Sequence, residues 1–503
     1  MRLPTFIITL LSTMLFVLLF FEKKLGLNVL LFSASVIMLL FIFKRDFFKP
    51  ILNKTVAIGF LLISAFYSFY GSPFTLFVSL LSFNLIIGLH TLPALRSIAY
   101  VVPNGVLNFF KSFADFFASF SLRSRNTSSL SKIFRIVLLP LIIITIFIVL
   151  YANGSSFFSE IVGSFMESLS NALEILANYL DIKVIGVIML GFLFSLVHSL
   201  KRSQTTISLT DQSKSDGLLR DKTNKATRFK NLDLKYEYKS GVFLFTVLNL
   251  LLLIVVFLEI KNIWFPFEWQ GEMLKEMVHK GTYTLIFTIL VSIAVTLYFF
   301  KKNLNFYKNN RHLKILANVW IVLNGLLVVS VFIRNAYYIK YFALAYKRIG
   351  VILFLMLCLI GLVTLFIKIR KKKSTYYMFR TNSLAAYLSL VAVCFVNWDV
   401  VIAKYNFNHY KSAFVHLPFM SRLSDKALPF LQLSDQQIKE IEDKQVENIP
   451  FASRGYFKNV RYKKKIDRRV KRFVSEQEKA HWLEFVVAER RAFAKLKSQQ
   501  TNN

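Results

Sequence analysis

Eleven apolar stretches of sixteen to twenty-one residues, separated by short polar segments, constrain this chain more than any other feature. They lie near 4–21, 27–43, 55–70, 73–90, 135–152, 183–200, 241–259, 282–300, 313–333, 350–367 and 383–400. A hydrocarbon core about 30 Å thick takes roughly twenty residues of helix to cross. Backbone N–H and C=O groups in lipid must find partners within the segment, so each stretch reads as a helix. The expected fold class is all-α: a polytopic α-helical membrane protein of about eleven transmembrane helices with a small helical C-terminal extramembrane tail. Composition agrees, with 53 Phe among 503 residues, 55% hydrophobic residues and only 18% charged. That balance excludes a soluble globular chain. The opening MRLPTFIITLLSTMLFVLLFFEKK has a long apolar stretch and no A-x-A-like cleavage site, and reads as a retained first span.

A formal net charge of +35 suggests nucleic acid until the Lys and Arg are located. Alternate loops 44–54, 91–134, 201–240, 301–312 and 368–382 carry 29 basic residues, whereas 22–26, 71–72, 153–182, 260–281 and 334–349 carry 9. Basic loops stay in the cytoplasm. The N-terminus is therefore expected inside the inner membrane and, after an odd number of spans, the C-terminus outside. Residues 401–503 hold 21 basic and 11 acidic residues, an unusual load for an outside tail. Long segments translocate largely regardless of charge.

Four regions follow: an N-terminal bundle (1–200, six spans), a polar connector (201–240), a C-terminal bundle (241–400, five spans) and a basic helical tail (401–503). Phe109, Phe113, Phe116, Phe117 and Phe120 share one face of an amphipathic helix opposite Lys111, Ser112, Asp115 and Ser119. A second amphipathic stretch carries Glu160, Glu167, Glu174 and Asp181. The connector is rich in Ser, Thr, Lys and Asp and is expected to be disordered. In the tail, Ser434 with Gln437 and Ser475 with Glu478 have capping-box spacing, predicting two helix starts. Trp482, Phe485, Val486, Phe493 and Leu496 form one face of the last predicted helix.

A charge within the bilayer costs on the order of 3 kcal/mol on insertion scales, so ionisable residues in spans are candidates for function. The candidates here are Glu259, Arg334, Arg348, Asn397 and Asp399, all at span ends on one predicted face. Asp399 and Glu259 held by Arg334 and Arg348 would make a polar cluster at the outer rim. It reads either as a site for a charged or zwitterionic ligand or as an ion-pair network fixing helix ends beside Tyr337, Tyr338, Tyr341, Tyr346 and Trp398. Asn84, Asn249, Asn318 and Asn324 are expected to make interhelical hydrogen bonds. His90 and His198 have no ligand partner nearby in sequence, and Cys358 and Cys394 sit in apolar runs, so no metal is implied. P-loop, zincin, nucleophile-elbow and Rossmann patterns are absent, and no cofactor is implied. The run RYKKKIDRRVKRF has few aromatics and reads first as a solvated face and next as a surface for anionic lipid or envelope glycan, rather than for nucleic acid.

The segments EKKLGLNVLLF, LRSIAYVVPNG, YFALAYKRIGV, NWDVVIAKYNF and SRLSDKALPFL resemble a bacterial polytopic inner-membrane family known only as a domain of unknown function (DUF4173/DUF4153-like). The resemblance implies a multi-pass inner-membrane protein and brings no reaction, active-site residue or cofactor with it. The basic extension after Leu433 is longer than the family's pattern. Three functions stand as expectations: a non-enzymatic protein moving or sensing a small ligand through spans seven to eleven; a scaffold holding an envelope partner through residues 434–503, with anionic lipid at its basic loops; and a membrane-embedded enzyme acting on lipid or glycan.

Overall fold

The computed structural model describes residues 3–120, 186–188, 190–192, 205–220, 228–264, 282–300, 303–449, 452 and 459–501. All regular secondary structure among them is helical, apart from one isolated bridge between Gly217 and Lys373. The first bundle comprises α1 (Leu3–Phe20), α2 (Leu27–Phe43), α3 (Ile51–Tyr70), α4 (Pro73–Thr91) and α5 (Ile98–Phe120). After α6 (Thr205–Ser213), the second bundle comprises α7 (Arg228–Glu259), α8 (Thr282–Phe299), α9 (Arg311–Phe342) and α10 (Tyr346–Arg370). Two further helices, α11 (Thr375–Val393) and α12 (Trp398–Asn408), are bent by 64° across a break at 394–397.

By length and hydropathy, five described helices are able to cross a membrane alone, namely α3, α4, α7 with its continuation to Trp264, α9 and α10. Counted as one broken span, the bent pair α11–α12 would add a sixth. Leu10–Phe20, Leu27–Phe43 and Thr284–Phe299 are apolar helices at three more of the expected positions, but shorter. The expected span 135–152, most of 183–200 and the acidic amphipathic stretch lie outside the described residues. The chain is thus a multi-pass helical membrane protein. The last expected span shifts from 383–400 to Thr375–Val393, because Ser374 caps the helix by accepting the Tyr377 N–H, and Asn397 and Asp399 fall beyond its end. The Phe-rich segment is helical, as the last turns of α5.

The two bundles have separate cores. Val56, Phe60, Ile63, Leu85, Ile86 and Leu89 centre the first, and Phe245, Ile289, Leu313, Leu327, Val331 and Leu365 the second. Helix α11 falls within the expected 241–400 bundle but packs against both cores: Tyr387, Val391 and the following Cys394 bury themselves in the first, while Met378 joins the second. Small residues let α4 and α5 close tightly, since a Cβ on Gly88 or Gly105 would lie 2.5 Å from Val101 O or 2.2 Å from Asn84 O. Across that contact Asn84 donates to Val102 O and Asn104 to Gly88 O, and Asn249 likewise joins α7 to Leu316 O of α9. Asn324 instead bonds Trp320 O on its own helix.

A third core belongs to the tail. Ile402, Val415, Met420, Leu428 and Leu431 pack against Ile438 of α15, Tyr462, Ile466 and Val470 of α16, and Leu496 of α17. These elements follow the short helices α13 (Leu417–Met420) and α14 (Leu428–Leu431) and span Asp435–Asn448, Asn459–Lys479 and Val487–Thr501. Ser434 and Gln437 form the expected capping box. Ser475 does not start a helix: the apolar stripe Tyr462, Ile466, Val470 and Phe473 carries α16 through it to Lys479. The chain then breaks, His481 accepts the Leu483 N–H, and a 3₁₀ turn at Trp482–Glu484 precedes α17. Trp482 is 61% exposed, so it leaves the apolar face predicted for it.

Contacts sort the loops onto two faces. On one, Lys24 meets Glu476 at 2.7 Å and its N–H reaches Glu484 at 3.1 Å, while Phe414 N donates to Tyr341 O. Gly71, in the left-handed region at φ 57° where it ends α3, abuts Val486. The tail therefore shares a face with loops 22–26, 71–72 and 343–345. On the opposite face, Arg96 bonds Asp211 and Leu218 N donates to Lys372 O. The connector, expected to be disordered, thus contains α6, the docked 214–220 segment and the first turns of α7, because Asp211 is fully buried there.

The tail is held so closely that a Cβ on Gly26 would lie 2.4 Å from the Glu484 carbonyl. Backbone cannot yield as a side-chain end does. Gly26→Val is expected to lift the 482–485 turn, raising limited-proteolysis cleavage after the adjoining Lys479 several-fold while the membrane bundles stay intact.

Candidate functional site

Glu259 is the last residue of α7, followed by a π-helical turn over Ile260–Trp264. Arg334 lies about 35 Å along α9 from Arg311 at 1.5 Å per residue, beyond one bilayer core. Ser330 and Arg334 are one turn apart and share a face. Both turn to Glu259. Arg334 Nε donates to Oε2 at 3.0 Å, its Nη2 donates to Oε1, and the Ser330 hydroxyl donates to Oε2. Each partner of the ion pair is 12% exposed. A forked guanidinium–carboxylate pair of this kind is geometrically specific, and in low dielectric neither charge is tolerable without the other.

Arg348 has a different task. Its Nη1 donates to Phe342 O at 2.7 Å and also to Ala343 O, taking up carbonyls left open where α9 ends. Its guanidinium sits 4.4 Å from the centre of the Tyr338 ring. Ala343 adopts φ 63° and ψ −173°, a conformation that costs a non-glycine residue about 1–3 kcal/mol. Surrounding bonds enforce it: Leu344 N donates to Asn406 Oδ1 at 2.7 Å, Asn406 Nδ2 returns to Leu344 O at 3.0 Å, and Asn335 Nδ2 donates to Arg348 O at 3.1 Å.

Asp399 does not meet Arg348. It lies in the first turn of α12, where the helix dipole favours a carboxylate. The Tyr346 hydroxyl donates to its Oδ1, and Lys426 Nζ lies 3.4 Å from its Oδ2. Lys426 is 3% exposed, and burial pushes its pKa down against the pull of Asp399. Beside it, Asp425 receives Arg469 Nε at 3.1 Å and Nη2 at 2.6 Å, while the same guanidinium donates to Ser421 O and Leu423 O. Glu489 of α17 completes the group; burial raises its pKa, and it accepts Gln477 Nε2 at 3.1 Å. Asn397 stands at the N-cap of α12 without capping it, and its buried Oδ1 has no hydrogen-bond partner.

The expected four-helix ring of charges therefore resolves into two pairs and a cap. Glu259 and Arg334 meet. Arg348 is not the partner of Asp399, because the α9 carbonyls capture its guanidinium and Lys426 arrives from the tail. Sequence reasoning missed Ser330, Lys426 and Arg469, and placed Tyr346 only in the flanking aromatic belt. The available signal was Lys426 itself, a cation directly before the apolar run ALPFL.

A multi-pass helical bundle carrying a docked helical domain on one face defines the class of protein. Residues 3–433 match the model of a family described as Domain of unknown function (DUF4153), and the chain belongs to that family. Neither the curated proteins nor the solved structures contain a match. The family match ends just before α15, so Asp399, Asp425 and Lys426 lie inside it, whereas Arg469 and Glu489 lie in the extension.

The Glu259–Arg334 contact generates a direct test. Glu259→Ala or Arg334→Ala alone strands a buried charge and is expected to cost about 3–5 kcal/mol, whereas the double substitution costs less than the sum of the two. Thermal unfolding of the detergent-solubilised variants reads out that cycle.

Proposed function

We propose that the chain is a scaffold of a bacterial inner membrane, with its N-terminus inside and its C-terminal domain outside, that holds an envelope partner bearing an acidic surface. The sidedness rests on the 29 to 9 imbalance of basic residues together with the two-faced arrangement of loops. The function rests on one observation. Helix α16 buries Tyr462, Ile466, Val470 and Phe473 and turns Arg461, Lys464, Lys465, Arg468 and Lys471 outward, with no carboxylate paired to any of these five among the described residues. Burial first, and then the neighbouring Arg422 and Arg469, depress the pKa of Lys465.

The domain is also fixed in orientation. Lys24, Gly26 and Gly71 grip it at three points, and exposed Trp482 and Phe485 stand beside the grip, where interfacial aromatics favour the head-group layer. A rigidly presented cationic face suits capture of an acidic surface better than it suits a moving transport element. The Glu259 and Asp399 carboxylates are already engaged by Arg334, Ser330, Tyr346 and Lys426. A second reading, ligand binding at the outer rim, draws on Arg348 Nε and Asn397 Oδ1, two buried atoms without hydrogen-bond partners among the described residues.

Charge reversal separates the two. With Lys464, Arg468 and Lys471 all replaced by Glu, a stoichiometric, salt-sensitive co-purifying envelope protein is expected to be lost at least about tenfold, with the fold unchanged by circular dichroism. Retention of that protein by the triple variant, with loss of cellular function in Asn397→Ala instead, would favour the rim site.

A further inference from the structure

The face opposite the tail carries a cavity of about 560 Å³, within the range of small-molecule sites. It lies between the 92–100 turn, the 213–219 segment and the first turns of α11, and Tyr100, Lys214, Leu219, Tyr376 and Phe379 line it. Its frame is well fastened. Leu218 N donates to Lys372 O, Ser374 N to Asp216 O and the Ser374 hydroxyl to Ser215 O, so the segment runs along the α10–α11 turn as a short antiparallel ladder. Arg96 donates to Asp211 and lies over the Tyr376 ring at 5.1 Å, and the Tyr376 hydroxyl donates to Asp211 at 2.7 Å.

Charge and polarity are divided across this cleft. The segments 92–100, 211–220 and 371–380 hold seven cations and two acids. Arg96 and Arg380 neutralise Asp211 and Asp216. Lys214, Arg220, Lys371, Lys372 and Lys373 remain without a carboxylate partner among the described residues. Lys214 is exposed and lies on the cavity wall. On the same wall Phe379, one turn into α11, is 61% exposed and Leu219 is 78% exposed. Large apolar side chains exposed at the edge of a membrane bundle face acyl chains, and clustered cations beside them face head groups.

We propose that this cleft binds an anionic phospholipid, its phosphate ester beside Lys214 and its acyl chain over Phe379 and Leu219. The shared chemistry with soluble phosphate esters is the anion; the apolar wall is what selects a lipid. Such a lipid would tie the connector to the α10–α11 turn at the membrane surface.

The test uses the full chain in mild detergent, titrated with phosphatidylglycerol or phosphatidylcholine and examined by native mass spectrometry. Retention of phosphatidylglycerol over phosphatidylcholine is expected, falling about fivefold or more in Lys214→Glu, the effect of losing and reversing one cation beside an anionic head group. Phe379→Ser, on an exposed position that leaves the fold intact, is expected to weaken retention as well, and Lys479→Ala on the other face to leave it unchanged. Equal retention of the two lipids, or equal retention by wild type, Lys214→Glu and Phe379→Ser, would overturn the proposal. Displacement of the lipid by an equimolar amount of glycerol phosphate would overturn the lipid assignment in favour of a soluble phosphate ester.

Discussion

Taking a lysine ammonium out of water is costly unless it is paired, and the Lys426–Asp399 pair offsets that cost at the point where membrane bundle and tail meet. Lys426 lies in a 3₁₀ turn of the tail, Asp399 in the first turn of α12, and Tyr346 at the head of α10 closes the group. The pair therefore fixes three elements at once. Arg469 then clamps the same turn through Asp425 and two carbonyls, and the α16–α17 hairpin is carried to the Lys24 and Gly71 loops. Around it the strained Ala343 link is held by Arg348 and Asn406. The charges at this rim act first as fasteners.

Much of the fold was legible from hydropathy, because a bilayer leaves a helix few alternatives. Ile51–Tyr70, Pro73–Thr91, Arg311–Phe342 and Tyr346–Arg370 contain the stretches that apolar runs alone mark out. The limits of that reading are physical as well. The run at 383–400 is continuous in hydropathy, yet Ser374 capping starts the helix early and the chain bends before Trp398. Ser475 and Glu478 have the spacing of a cap, but spacing does not reveal that a buried stripe is already carrying α16 past them. Hydropathy brought Glu259, Arg334, Arg348 and Asp399 to one rim but could not pair them, since a guanidinium goes to open helix carbonyls when they are nearer, and Lys426 comes from a segment that periodicity leaves unplaced.

The family pattern ends at residue 433, and the structure gives that boundary a physical meaning. Ile402, Leu417, Leu428 and Leu431 form the family's last apolar surface, and α15, α16 and α17 cover it with Ile438, Ile466, Val470 and Leu496. The extension thus completes a core begun inside the family region and adds a cationic face to it. The extension is fastened to the family portion by Arg469, which reaches Asp425 and the carbonyls of Ser421 and Leu423.

The sidedness of that junction is the claim on which the account turns. Single cysteines placed at Ser72, Lys214 and Ser498, in a chain whose buried Cys358 and Cys394 are replaced by Ala, can be labelled with a membrane-impermeant thiol reagent in intact cells and in inverted vesicles. The account predicts that Ser72→Cys and Ser498→Cys label together from outside and Lys214→Cys only from within. Labelling of Ser498→Cys on the same side as Lys214→Cys would contradict it, because the tail would then sit on the face occupied by the connector.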